Sequence, residues 1–262
     1  MVASFVRLFN HPVPQQIGKQ EVGTMRFFVT VTENVTSSPT ERAAMIQHRM
    51  KSLDYQQGLL NAGSLGYAFR SVDCQTGYLL YKADTLEQVD EIIKADPQWV
   101  FCSVEVMPVT TTTAMVKEMY RSFGPQLLGA PLSDSDLQKF EADEEAIDPD
   151  GNYSMAAKAL AAVSPLASQD VQNDLWVRTL QSQKMHFNPI EFCDHNPVGK
   201  PWGILVGKCD VPAIQTHVAS TPIYPDTVVT YTELLTLKKA WRKSASELAV
   251  FQRAAPVAVH FT

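Results

Sequence analysis

The stretch Gly77-Tyr78-Leu79-Leu80-Tyr81-Lys82-Ala83-Asp84 recurs about 126 residues later as Gly203-Ile204-Leu205-Val206-Gly207-Lys208-Cys209-Asp210. Each copy begins with glycine, continues as an apolar run typical of a strand, and ends in an aspartate suited to cap a helix. Downstream, residues 95–99 and 220–224 carry a proline and an aromatic residue at matching positions. Self-similarity at a fixed spacing indicates a repeated structural unit. The sequence therefore predicts two copies of one module.

The elements around each copy are predicted in the order β-α-β-β-α-β. Runs rich in β-branched and aromatic residues predict strands, and apolar residues three and four positions apart predict helices. In the first half, the strands cover 24–31, 65–72, 77–83 and 100–109, and the helices cover 41–60 and 86–94. In the second, the strands cover 153–163, 187–194, 202–209 and 224–237, and the helices cover 171–184 and 210–218. This order defines the ferredoxin-like module.

Both faces of the predicted third strand are apolar, with Tyr78 and Leu80 on one side and Leu79 and Tyr81 on the other. A sheet with helices on one face and an apolar second face must bury that face against another sheet. We therefore predict an α+β fold in which two tandem ferredoxin-like modules turn their antiparallel sheets toward each other. The result is a pseudo-dimeric α+β barrel within one chain.

The predicted modules divide the chain into five parts. The predicted parts are an N-terminal extension over 1–22, a first module over 23–125, an acidic connector over 126–151, a second module over 152–238, and a C-terminal helix and tail over 239–262.

The charge distribution argues against nucleic-acid binding. The formal net charge is −6, and residues 134–150 hold eight acids and one lysine, so that segment alone carries −7. The remainder has no basic stripe able to neutralise several phosphates. Apolar runs are too short to cross a bilayer, and the N-terminal residues lack a signal-peptide layout, so we expect a cytoplasmic protein without membrane contact. The four cysteines lack metal-ligand spacing, and we expect no metal and no cofactor.

Three features of the first half resemble the muconolactone isomerase group of the dimeric α+β barrel superfamily. They are Gly77-Tyr78 in the third strand, the turn Pro97-Gln98-Trp99, and the last strand ending Glu105-Val106-Met107-Pro108-Val109. The second half keeps Pro222-Ile223-Tyr224-Pro225 and more faintly follows the pattern. The chain departs from the group after the last strand, where Thr110-Thr111-Thr112-Thr113 stands in place of a His-Pro-Ser ending.

The resemblance implies isomerisation of a small unsaturated lactone in the breakdown of aromatic compounds. Such a reaction moves a proton between carbons and needs a general acid or base and a group that holds a carboxylate. Arg70 matches a Trp-Arg position of the group, and Asp54 lies where the group carries acidic residues. We accordingly treat both as catalytic candidates.

Arg26 interrupts an otherwise apolar strand and should be paired there, with Glu105 on the neighbouring last strand as the candidate partner. Arg26 and Arg70 could together hold an anionic ligand through their forked donors. Glu105 joins the catalytic candidates on this hypothesis. A purely structural ion pair, or an exposed edge position for Arg26, remains an equal alternative.

His48 is a further catalytic candidate because an imidazole at the edge of a pocket can exchange protons near neutral pH. A hydrogen-bonded histidine on a half-buried helix face is the more frequent situation. In the second half, Asp194, His195 and Trp202 surround a predicted loop and are ligand-binding candidates, although turn chemistry also explains Asp194 and His195. The predicted ligand pocket between sheet and helices is lined by Phe28, Tyr67, Phe69, Tyr78 and Trp99.

The sequence thus favours a cofactor-independent enzyme that acts on a small anionic or aromatic-derived metabolite, with one active and one degenerate pocket. Two other classes stay open, a cofactor-free monooxygenase of the same superfamily and a non-catalytic ligand-binding or assembly protein. The partner is then a small molecule, with the intrachain pseudo-dimer able to assemble into a further homo-oligomer.

Overall fold

The computed structural model describes residues 25–34, 36, 38–111, 147–160, 190–194, 202–220 and 227–254. In the first half these form β1 (Met25–Glu33), α1 (Pro39–Asn61), β2 (Leu65–Ser71), β3 (Thr76–Ala83), α2 (Leu86–Ala95), a 3-10 turn (Trp99–Phe101) and β4 (Cys102–Thr111). In the second half they form β5 (Tyr153–Leu160), β6 (Ile190–Asp194), β7 (Trp202–Gly207), α3 (Val211–Ala219), β8 (Thr227–Thr236) and α4 (Leu237–Ala254).

All eight strands join one closed barrel in the order β1-β3-β2-β8-β5-β7-β6-β4, and every pairing is antiparallel. The two halves meet where β2 pairs with β8 and where β4 pairs with β6. The predicted α+β class and the intrachain barrel are therefore confirmed. The six-element order is described in full for the first half, whereas the helix predicted over 171–184 lies outside the described residues.

The two halves share one strand register. In the first half, Gly77 lies opposite Val31 of β1 and Arg70 of β2. In the second, Gly203 lies opposite Lys158 of β5 and Cys193 of β6. The strands that follow agree as well, because Val104 faces Val31 and Val229 faces Lys158. Two residues are called register-equivalent below when they occupy the same position in the strand register of the first and the second half.

Alternation along the strands creates two apolar layers in the first half. Phe27, Val29 and Val31 of β1 face the helices and form a helix-side cluster with Leu53 and other buried residues. The neighbouring residue Phe28 belongs instead to a barrel-interior cluster.

The barrel-interior cluster joins the two halves. It contains residues from both, and the rings of Phe69 and Tyr153 lie 5.0 Å apart between them. The second apolar face of each sheet is thus buried against the other, as the sequence predicts.

The C-terminal helix α4 packs on the first half. Leu237 and Ala240 at its start are buried in the helix-side cluster, and further along α4 lies against α1. The sequence predicts this helix as a separate tail, but its apolar face completes the core beneath α1. None of the described helices combines the length and apolarity needed to span a membrane.

Candidate functional site

A buried polar network lies on the helix side of the first half, centred on Glu33. Glu33 ends β1 and follows Phe27, Val29 and Val31 at alternate positions, so the pleat directs its carboxylate toward the helices. Glu33 is 4% exposed and Arg70 is fully buried. Charges removed from water in this way need partners, since an unpaired buried charge is very costly.

Arg49 of α1 forms a two-point ion pair with Glu33, through Nε and Nη2 of its guanidinium group. Its Nε lies 2.5 Å from Oε1 of Glu33, and its Nη2 lies 2.5 Å from Oε2. The remaining Nη1 lies 3.0 Å from Oε2 of Glu247 on α4. This two-point geometry is the strongest that an arginine makes with a carboxylate, and it fixes α1 to the end of β1.

Arg70 approaches the same carboxylate from β2. Its Nη2 donates to Oε1 of Gln98 at 2.8 Å, and Nε2 of Gln98 in turn donates to Glu33. Nη1 of Arg70 lies 3.9 Å from Oε1 of Glu33, and neither Nη1 nor Nε has a hydrogen-bond partner among the described residues. Burial lowers the pKa of Arg70, and the Glu33 carboxylate opposes this shift.

Gly77 leaves room for the Arg70 guanidinium. A Cβ atom at Gly77 would lie 3.1 Å from Cζ and 3.2 Å from Nε of Arg70. A side chain at this position of β3 would require the Arg70 guanidinium to shift by a few tenths of an ångström. The glycine of the repeated motif thus has a structural role in this half.

The loop after α2 connects the network to α1. Asp96 accepts hydrogen bonds from Oγ of Ser52 at 2.8 Å and from Nε2 of Gln56 at 3.0 Å. The Nδ1 atom of His48 lies 3.0 Å from the carbonyl oxygen of Pro97. Since a carbonyl only accepts, Nδ1 of His48 carries the proton, and Nε2 of the neutral ring carries the lone pair. His48 is half-buried, beside the ring of Phe101 at 4.9 Å.

A small cleft opens from the network to the surface. Its volume is about 20 Å³, about the space of one water molecule. The cleft is lined by Glu33, Thr36, Arg42, Met45, Arg49 and Gln75. Nη2 of Arg42 lies 3.4 Å from Oε1 of Glu247, and its guanidinium lies 5.4 Å from the ring centre of Phe251.

Where the structure describes the second half, its strands carry different residues at the network positions. Leu160 is register-equivalent to Glu33, and Cys193 is register-equivalent to Arg70. In the sequence repeat, Thr221 stands at the position of Asp96 and Ile223 at that of Gln98. At these four positions the second half has no charged residue.

Arg26, Arg70 and Glu105 do not converge. Arg26 faces Val109 in the register of β1 and β4, whereas Glu105 faces Thr30, four residues further along β1. Arg26 and Glu105 also lie on the strand face opposite to that of Glu33. The register thus separates Arg26 from Glu105 and does not place them side by side, and their pairing stays a prediction.

The other candidates of the first half fall into separate places. Asp54 is exposed on α1. Phe28, Tyr67 and Tyr78 belong to the barrel-interior cluster, whereas Trp99 packs on the helix-side cluster, so these aromatic residues do not line one pocket. Burial raises the pKa of Tyr78, and a hydrogen bond with Thr232 opposes that shift.

The candidates of the second half are only partly described. Asp194 ends β6 opposite Val109, and Trp202 begins β7 opposite Ala159. His195 lies outside the described residues.

Four members of the network were not predicted from sequence, namely Glu33, Arg49, Gln98 and Glu247. The sequence does contain a signal for Glu33, because it is the charged member of the alternate positions 27, 29, 31 and 33 of β1, whose other members are apolar. Burial raises the pKa of Cys102, beside this network, to about 12, so its thiol is protonated at neutral pH and is not a nucleophile there. Within the described ranges, no three histidine, cysteine or acidic residues cluster as metal ligands.

The fold is similar to that of solved chlorite dismutase structures. One mutant chlorite dismutase from Candidatus Nitrospira defluvii matches with a TM-score of 0.53 and 10% identity over 84% of this chain and 95% of that one. A second matches with a TM-score of 0.51 and 10% identity over 86% and 97%. No protein-family model matches the chain, and no curated protein does. The comparisons therefore establish the barrel fold, and the muconolactone isomerase resemblance finds no support in them.

Proposed function

We propose that the chain is an enzyme for a small carboxylate-bearing metabolite and that its working site is the Glu33–Arg49–Arg70–Gln98 network with the adjoining cleft. The observation that carries this proposal is the difference between the two halves. One half of the barrel folds with Leu160 and Cys193 where the other has Glu33 and Arg70. Since buried ion pairs are often no more stabilising than apolar residues of similar size, the fold alone does not call for the charged set.

The chemistry of the cleft suits an anionic group. Arg42 and Arg49 line it, and Gln75 and Thr36 add polar side chains. The Glu33 carboxylate also lines the cleft, but its two oxygens are already paired with Nε and Nη2 of Arg49. A substrate carboxylate would bind the two arginines, and the partly buried position would strengthen that attraction relative to bulk water.

His48 is the proposed proton carrier. Its Nδ1–H is held by the Pro97 carbonyl, so Nε2 is the atom that accepts a proton from a substrate carbon and returns it to a neighbouring one. Asp96 and Ser52 fix the loop that holds Pro97. Isomerisation of a muconolactone-like lactone is the reaction of this type that we propose to assay first, with oxygen uptake on phenolic substrates as the alternative activity.

The test is turnover of a panel of unsaturated lactone carboxylates. We expect His48→Gln to lower kcat by at least about 100-fold, the usual contribution of a general base. We expect Arg49→Lys to act mainly on KM. Lys51→Gln, an exposed change on the same helix, is the control and should leave both constants unchanged. Equal activity in His48→Gln and the unchanged protein would reject His48 as the proton carrier.

A haem-type enzyme is the second candidate, suggested by the likeness to chlorite dismutases. In the first half the described space between sheet and helices is filled by the helix-side cluster and the network, and His48 is committed to Pro97. The described residues of that half therefore do not fit a planar macrocycle. In the second half, His217 is buried on α3. A Soret absorption band that His217→Ala removes would favour this candidate over the first.

A further inference from the structure

Two arginines that line the cleft are already paired with a carboxylate of the protein itself. Glu247 of α4 lies 3.0 Å from Nη1 of Arg49 through Oε2 and 3.4 Å from Nη2 of Arg42 through Oε1. Its two oxygens are thus divided between two guanidinium groups, which is how a bound carboxylate bridges a pair of arginines. The Glu247 side chain is 23% exposed, so solvent reaches it.

Glu247 supplies the carboxylate that faces both Arg42 and Arg49. Glu33 is the other carboxylate paired with Arg49, and Glu41 lies beside the cleft, where it accepts a hydrogen bond from the Thr36 hydroxyl. Removing Glu247 would leave Arg42 and Nη1 of Arg49 without this carboxylate, and guanidinium donors in a partly buried site attract a small anion.

Glu33 is held by more hydrogen bonds than Glu247 is. Glu33 is held by both edges of Arg49 and by Gln98, and it is 4% exposed. Glu247 makes one contact with each arginine, and Arg42 has an exposed side chain. An incoming carboxylate would therefore displace Glu247 far more easily than Glu33.

We infer that Glu247 is a built-in competitor for the substrate carboxylate, and that a small carboxylate enters this site by displacing it from Arg42 and Arg49. The inference rests on the proposed use of the cleft and adds to it the way in which the carboxylate enters and a means of regulation. Any movement of α4 that withdraws Glu247 opens the site. The cleft of about 20 Å³ is then the remaining part of a larger carboxylate site that Glu247 fills.

The test compares Glu247→Gln with the unchanged protein in sodium acetate, against sodium chloride at equal ionic strength. A ligand that binds only the folded state raises the unfolding midpoint in a saturable way. We expect Glu247→Gln to reach half-saturation at an acetate concentration at least tenfold lower than the unchanged protein. Glu247→Ala should behave in the same way. This variant tests whether a hydrogen bond from the glutamine amide to acetate, and not the loss of the carboxylate, causes the effect of Glu247→Gln.

Two controls complete the experiment. Glu91→Gln makes the same charge change at an exposed position of α2 and should leave acetate binding as in the unchanged protein. Adding Arg42→Gln to Glu247→Gln should abolish the gain in acetate affinity.

Equal half-saturation in Glu247→Gln and the unchanged protein, or no saturable binding in either, would overturn the inference. Acetate binding is measured without any turnover, so the inference about Glu247 and the proposed reaction can fail independently of each other. Acetate binding without lactone turnover would sink the proposed reaction alone.

Discussion

At the scale of single residues, the Glu33–Arg49 pair decides whether the network is stable. Both side chains are buried and joined by two hydrogen bonds. Removing one of them leaves the other as an unpaired charge in a place that water does not reach. Such one-sided changes usually cost about 3 to 5 kcal/mol.

We expect Arg49→Met to lower the free energy of unfolding by about 3 kcal/mol. The double variant Glu33→Gln/Arg49→Met should cost clearly less than the sum of the single changes, because neither charge is then left alone. Denaturant unfolding measures all four corners of this cycle. Lys94→Met breaks the exposed pair with Asp90 and is the control, expected within about 0.5 kcal/mol. Strictly additive costs would show that the pair is not coupled.

Gly77 offers a second test at this scale. Gly77→Ala places a Cβ atom 3.1 Å from Cζ of the fully buried Arg70, and overpacking of this kind costs about 1 to 3 kcal/mol. Gly58→Ala is the matched control, since its Cβ would meet nothing within 4 Å and alanine favours a helix by up to about 1 kcal/mol. Thermal unfolding should therefore move in opposite directions for the two variants. A Gly77→Ala protein as stable as the parent would mean that Arg70 can move aside.

At the scale of elements, α4 matters as much to the first half as its own helices. Ala240 of α4 is fully buried against the first half, and Ser244 and Glu247 follow on the same side of the helix. The helix thereby covers apolar surface and places Glu247 against Arg42 and Arg49.

We expect Ala240→Asp to destabilise the protein by about 3 kcal/mol or more, because it buries a carboxylate among apolar side chains. Val250→Asp, on the same helix but 64% exposed, should stay near the parent. Urea unfolding followed by circular dichroism distinguishes them. Equal stabilities would show that α4 does not cover the core.

The sequence predicted most of these elements because their signals are local. The alternation in β1 and the helical spacing of α1 each lie within one short segment, and the bounds agree to within a few residues. The contact between Arg49 and Glu247 joins residues 198 positions apart, and no periodicity reports such a pair. The register that separates Arg26 from Glu105 is likewise set by strand pairing, which the pattern of one strand does not determine.

At the scale of the whole molecule, one barrel carries two unequal halves. Strand pairing at two seams and the Phe69–Tyr153 contact make the halves one folded unit. All of the aromatic residues predicted to line a ligand pocket, except Trp99, lie in the barrel-interior cluster that joins the halves. The predicted α+β class and the closed barrel are found, whereas the division into tandem ferredoxin-like modules stays a prediction. The charged site lies where the two halves of the barrel differ.

The most direct test of that account is a carboxylate titration of the unchanged protein, followed through the arginine Nε–H signals in a two-dimensional NMR spectrum. We predict saturable shifts at Arg49 and Arg42, with Arg242, which is 63% exposed beside Asp150, unchanged at constant ionic strength. If Arg42 and Arg49 shifted no more than Arg242, the first half would not be the carboxylate site.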